Sequence, residues 1–133
     1  MRILTCTNGL EVVVFEEGDT VCNNKKFKAG LRERIDWLYS THRDRVCLIC
    51  GEPFGVFDLH HAIVARKDVQ GWAKKKRKIV DVELNFIPLH NWCHISNPPT
   101  KDQSWKHQCD FYGVEIMEEW YYSLPFKVPL RRF

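Results

Sequence analysis

The chain has 133 residues, 44% of them hydrophobic and 13% aromatic, with a formal charge of +3. That length and apolar content specify one folded domain with a modest core and exclude a disordered chain. No apolar run approaches the roughly 20 residues of a membrane span, and "MRILTCTNGLEVVV" lacks the basic, apolar and small-residue order of a secretory signal, so a soluble, cytoplasmic protein is expected.

Residues 3–16 read as a β-hairpin, because "ILTCT" and "LEVVVF" flank Asn8-Gly9, the favoured pair of a two-residue turn. A polar loop over 18–24 leads into a helix over 25–41, where Phe27, Leu31, Ile35 and Leu38 recur at helical spacing and Gly30 is the weak point. Cys47 and Cys50 then flank a tight turn that Gly51 and Pro53 help to close. "VFDLHHAIV" (56–64) is β-branched and apolar around its histidines and reads as a strand. Residues 65–83 form a long polar connection that carries Trp72 and the run "KKKRK" at 74–78. A second extended segment, 82–89, is limited by Pro88, and "HNWCHIS" begins a helix that Pro98 and Pro99 interrupt. Two helices close the chain. One spans 100–112, capped by Thr100 or Asp102 and stopped by Gly113. The other spans 114–123, ends before Pro125, and places Ile116, Trp120 and Leu124 on one face. There is no internal repeat. One domain over 1–133 is expected: an N-terminal hairpin and helix (1–43), a core (44–97) and a C-terminal helical extension (98–133) that packs through Tyr112, Trp120, Tyr121 and Phe126.

Of the six cysteines, Cys6, Cys22 and Cys109 are isolated and are expected to be buried thiols. Cys47 and Cys50 form a C-x2-C pair, which without an export signal indicates metal or redox chemistry. His90 and Cys93 supply a second x2-spaced pair. Tetrahedral structural zinc takes Cys and His ligands as two such knuckles, so Cys47, Cys50, His90 and Cys93 form a candidate Cys3His zinc site. A redox C-x-x-C is the rival reading, but no alternating pattern of strands and helices surrounds it. His60, His61 and His94 then remain unassigned, while His42 and His107 are expected on the surface. Consecutive strand residues face opposite ways, so His60 and His61 share a direction only if the strand ends or bends there.

In order, "CLIC", "DLHHAIV" and "ELNFIPLHNWCHISN" (residues 47–97) resemble the HNH endonucleases, which have the ββα-metal, or His-Me finger, fold with an embedded zinc knuckle. Asn85 stands nine positions before His94, the spacing of that family, while His90 occupies a position where the family usually has cysteine. The resemblance implies an α+β fold with a ββα-metal core around a structural zinc, an N-terminal hairpin and flanking helices. It implies that His60 and His94 ligate a catalytic divalent ion, that His61 is the general base, and that Asn85 braces the histidine loop by hydrogen bonds. The implied reaction is hydrolysis of DNA phosphodiesters, by nicking or double-strand cutting, to 5′-phosphate and 3′-hydroxyl ends. Short proteins of this kind resemble phage or mobile-element nucleases, which would place the chain in a host cytoplasm.

An imidazole with an ordinary pKa near 6.5 accepts a proton from water near neutral pH. Two histidine ligands suit Mn²⁺, Ni²⁺, Co²⁺ or Zn²⁺, whereas Mg²⁺ prefers oxygen, so Mn²⁺ is expected to support activity at least as well as Mg²⁺. Asp58 either buttresses a histidine, adds an oxygen ligand, or simply faces solvent, the last being favoured. Double-stranded DNA would be held by Lys74, Lys75, Lys76, Arg77 and Lys78 on phosphates. Trp72 would either stack on a base or pack its loop down, with packing favoured. Arg43 and Arg45 are weaker candidates, and Arg131 and Arg132 read as a solvated tail. Two rivals keep parts of this reading: a non-catalytic zinc-knuckle nucleic-acid-binding protein, and an accessory nuclease subunit active only inside a larger DNA-processing or packaging assembly.

Overall fold

The computed structural model describes residues 1–16, 18–19, 25–73 and 78–125. Cys22, residues 74–77, Phe126, Arg131 and Arg132 lie outside the described residues. Among the described residues the architecture is mixed α and β: two separate two-stranded antiparallel sheets, four α-helices and three short 3₁₀ turns.

The first sheet pairs β1 (Arg2–Thr5) with β2 (Glu11–Val14), Leu4 opposite Val12. The buried side chains Leu4, Val12 and Val14 alternate with exposed ones, the pattern of a sheet with one face on the core. The connection is three residues, not the expected two. Cys6 still pairs with Leu10, the Gly9 amide bonds the Cys6 carbonyl at 2.9 Å, and Gly9 alone takes a positive φ of 87°. This is a turn closed by a glycine bulge, which spares Asn8 the left-handed backbone a two-residue turn would impose.

Helix α1 (Lys25–Thr41) buries Ile35, Leu38 and Tyr39, with Phe27 and Leu31 half-buried at the same spacing. The second sheet pairs β3 (Asp58–His61) with β4 (Phe86–Leu89). β3 is shorter than the extended reading over 56–64, because at Ala62 the chain leaves the ladder and its amides turn to Asn85. β4 is likewise preceded by a 3₁₀ turn, Glu83–Asn85, within what reads as extended sequence. The connection between the strands is more than polar loop. The 3₁₀ turns Arg66–Val69 and Lys78–Val80 bury Val69, Ile79 and Val80.

Helix α2 (Asn91–Ser96) follows β4 and packs against β3, and the prolines at 98 and 99 stop it. Helix α3 (Lys101–Tyr112) starts at Thr100, whose hydroxyl accepts from the Gln103 amide while Gln103 accepts from the Thr100 amide. This reciprocal capping box settles the choice between Thr100 and Asp102. Gly113 (φ 95°) turns the chain into α4 (Val114–Tyr122), which packs on α3. The buried face of α4 is Met117, Trp120 and Tyr121, with Ile116 and Leu124 at its margin. One hydrophobic core takes residues from the first hairpin, α1, the central segment and both C-terminal helices. Among the described residues no helix is long and apolar enough to cross a membrane.

Candidate metal centre and histidine cluster

Four side chains converge where the Cys47–Cys50 turn meets the start of α2. The ligand atoms of Cys47, Cys50, His90 and Cys93 all lie within 4.8 Å of one another, and Cys47 and Cys93 are buried. Gly51 supplies the positive φ of 74° that lets the turn close, and its amide bonds the Cys47 carbonyl at 2.9 Å. His90 Nε2–H donates to the Pro53 carbonyl at 3.0 Å, while Nδ1 faces Cys50 Sγ at 3.2 Å. A fixed tautomer with the second nitrogen aimed at the sulfurs is how a histidine ligand is oriented. Burial pushes the Cys47 thiol up, but amide hydrogen bonds from Cys50, His90 and Ile49 outweigh it and bring it down to about 6. Burial and the neighbouring sulfurs of Cys47 and Cys50 push Cys93 up to about 11. Three sulfurs and an imidazole nitrogen held this close together would gather thiolate charge that a divalent ion neutralises. The donor set and spacing fit a metal ion such as zinc. The other described cysteines, Cys6 and Cys109, are free thiols; Cys6 is buried, but Cys109 is only half-buried.

Strand alternation sorts the three remaining histidines. Asp58 and His60 share one face of β3, Leu59 and His61 the other. On the first face α2 brings in His94, whose ring centroid is 5.1 Å from that of His60. Asp58 does not face solvent freely. Its Oδ2 accepts from His94 Nδ1 at 3.1 Å and from Asn91 Nδ2 at 2.9 Å, and these bonds hold its carboxyl below the usual carboxylate range. With Nδ1 committed to Asp58, His94 Nε2 is the open nitrogen. Burial, then the nearby His94 and His61, push His60 down to about 4, so its imidazole is neutral at physiological pH with a lone pair to give. His60 and His94 thus bring two imidazole rings together from β3 and α2.

His61 turns to the opposite face. It packs on Phe86, its cross-strand neighbour, at 4.5 Å, and its Nε2 lies 3.0 Å from Asp81 Oδ1. Asp81 was not among the residues the spacing singled out, since nothing in the sequence ties a carboxylate twenty positions away to this histidine.

Asn85 is completely buried. Its Oδ1 accepts from the Ile63 and Val64 amides at 3.0 and 2.9 Å, and its Nδ2 donates to the Val64 and Val80 carbonyls, both at 3.1 Å. Its carbonyl takes the Ala62 amide at 2.8 Å. All four hydrogen-bonding valences of the side chain are used, and the segment that follows His61 is locked to the turn before β4.

Several sequence readings change. Arg43 is an internal residue: its guanidinium lies over Tyr39 and Phe111, at 4.6 and 4.3 Å, and donates to Gln108 Oε1 and the His107 carbonyl. Arg45 is spent on Asp36, Ser40 and the Phe54 and Gly55 carbonyls. Trp72 is half-buried against the core. His107 is half-buried, not superficial, whereas His42 is exposed. Of the basic run only Lys78 is described, half-buried at the head of a 3₁₀ turn. The most exposed aromatic near the histidines is instead Trp92 (75% exposed), beside Ile95 on the outer side of α2. Its exposure could not be read from a six-residue helix in which three residues, Trp92, Cys93 and Ile95, are apolar and only Cys93 is buried.

No family model, no curated protein and no solved structure matches this chain.

Proposed function

We propose that the chain is a metal-dependent endonuclease of the HNH type that hydrolyses DNA phosphodiester bonds to 5′-phosphate and 3′-hydroxyl ends. The observation that carries this reading is the convergence of His60 and His94 from a strand and a helix, 5.1 Å apart, on a hairpin–helix unit whose loop is held by Asn85. The adjacent Cys3His cluster supports it, because it ties the first turn to the start of the helix that carries His94. We take that cluster as the structural zinc site.

A divalent ion on His60 and His94 would supply Lewis-acid stabilisation of the departing 3′-oxygen. Asp58 orients His94 for this role. His61 takes the proton of the attacking water. With Nε2–H donated to Asp81, Nδ1 keeps the lone pair that accepts it. Attack and departure lie roughly in line in phosphoryl transfer, which requires base and leaving-group stabiliser on opposite sides of the phosphorus. His61 and the His60–His94 pair would reach one phosphate from either side at the end of β3, where the chain leaves the ladder at Ala62. Trp92 and Ile95 give α2 an apolar edge of the kind that wedges against base steps.

The test is nicking of supercoiled plasmid by zinc-loaded protein with Mn²⁺ or Mg²⁺ added back. Wild type is expected to nick with Mn²⁺ at least as well as with Mg²⁺. His61→Ala is expected to lose about 10²–10⁴-fold in rate, and His94→Ala to need far more Mn²⁺ while keeping its zinc. Wild-type protein that binds DNA but never cuts would refute the catalytic reading and leave a zinc-knuckle binding protein or a subunit that needs its assembly.

A further inference from the structure

A cleft of about 330 Å³ opens on the His61 side of β3, between that strand and α1. Lys28 and Arg32, four residues apart on one face of α1, line it from the helix, and Arg66, at the head of a 3₁₀ turn, lines it from the segment after β3. The floor is apolar, with Phe27 and Phe86 among its residues. Asp81 is its one carboxylate lining residue, and its Oδ1 lies 3.0 Å from His61 Nε2. Among the described residues Lys28 and Arg66 have no ion-pair partner, and both are exposed. Arg32 is held in place from behind, donating to the Phe57 carbonyl and lying 4.4 Å over the Phe57 ring. Three cations around an apolar floor match one chemistry: a phosphate on the rim and a planar ring against the aromatics. An apolar peptide would leave the cations unused, and a free inorganic anion would leave the floor unused.

We propose that this cleft seats one nucleotide of the DNA strand, its phosphate on Lys28, Arg32 and Arg66 and its base against the half-buried Phe27. The identification of the ligand as DNA rests on the nuclease reading. The site itself belongs to α1 and β3, outside the zinc cluster and on the far face of the strand from His60 and His94. It also gives Lys28 and Arg32 of α1 a shared direction.

The experiment is a titration of zinc-loaded full chain, without added divalent ion, followed by amide NMR shifts, with the dinucleotide d(TpT) as probe. Shifts are expected to concentrate on residues 27–32, 59–61 and 66. In the double variant Lys28→Ala/Arg66→Ala the apparent affinity is expected to fall roughly fivefold or more, with amide dispersion unchanged because both side chains are exposed. Shifts confined to α2, or an unchanged affinity in the double variant, would overturn the assignment. Inorganic phosphate is expected to bind more weakly than d(TpT), and equal binding would overturn the nucleotide seat in favour of a bare anion site. The titration involves no cleavage. Binding of d(TpT) here by a protein that never nicks plasmid would fail the nuclease reading alone, and nicking by a protein whose cleft stays silent would fail this inference alone.

Discussion

His107 stands against Tyr39, its ring tilted 21° to the phenol and its Nε2 3.2 Å from the hydroxyl. Burial first, then the Arg43 guanidinium, push its pKa down to about 4, with Asp110 opposing. An unfolded histidine titrates near 6.5. The unfolded chain therefore binds a proton between pH 6.5 and 4 that the folded chain refuses, and the stability contribution present above pH 6.5 is lost as pH falls through that window. His107→Gln, which keeps a partner for Tyr39, is expected to unfold less steeply with acid. The gap between variant and wild type should shrink by about 3 kcal/mol from pH 7 to pH 4, read from urea unfolding at each pH. A gap constant with pH would show that His107 titrates as an exposed residue does. Glu83 is a second buried titratable group at this scale. It meets Arg34 at 3.2 Å and the Tyr112 hydroxyl at 3.1 Å, so α1 and α3 are joined through one carboxylate on the turn before β4.

Between elements, Asn85 and Gln108 do the joining. Gln108, fully buried on α3, donates to the Leu84 and Phe86 carbonyls at 3.0 and 3.1 Å and accepts from Arg43. It clamps the turn from behind while Asn85 clamps the segment after β3 from within. Asn85→Ala would strand the Ile63 and Val64 amides and the Val64 and Val80 carbonyls in a dry interior. At about 1–3 kcal/mol for each unsatisfied group, the expected loss is at least about 4 kcal/mol, visible as a collapsed denaturation midpoint. Asn85→Asp should not rescue it, because a carboxylate cannot donate to the two carbonyls. A loss under roughly 1 kcal/mol would show that water satisfies these groups. The helix boundaries and the first hairpin were legible in sequence because caps, glycines and periodicity are local. The end of β3 was not, because the partner that draws its amides out of the ladder lies more than twenty residues on.

For the whole molecule, the cluster of Cys47, Cys50, His90 and Cys93 joins segments forty residues apart at the point where α2 begins. A chain of 133 residues supports only a modest core, and a structural metal supplies folding free energy directly. Chelation of the metal, or Cys93→Ala, is expected to lower the melting temperature sharply and to disorder the 47–54 turn together with α2. Metal content and circular dichroism measured on the same sample would check it; a metal-free protein with unchanged melting would refute a structural role. The Cys3His set was readable from two x2 spacings, because zinc chemistry demands donors of that type and a chain can supply them only through tight knuckles.

What the residues determined alone was everything set by near neighbours in the chain: the knuckle donors, the capping box at Thr100, the breaks at Gly113 and the paired prolines, and the opposition of His60 to His61 by the pleat of a strand. Only the tertiary structure decided which side chains meet across long separations. It turned Arg43 and His107 inward, set Asp58 on His94 and Asp81 on His61, and gathered Lys28, Arg32 and Arg66 around one cleft. The reason is physical. Backbone geometry and ligand bite act over a few residues, whereas the desolvation and charge pairing that select distant partners exist only once the core has closed.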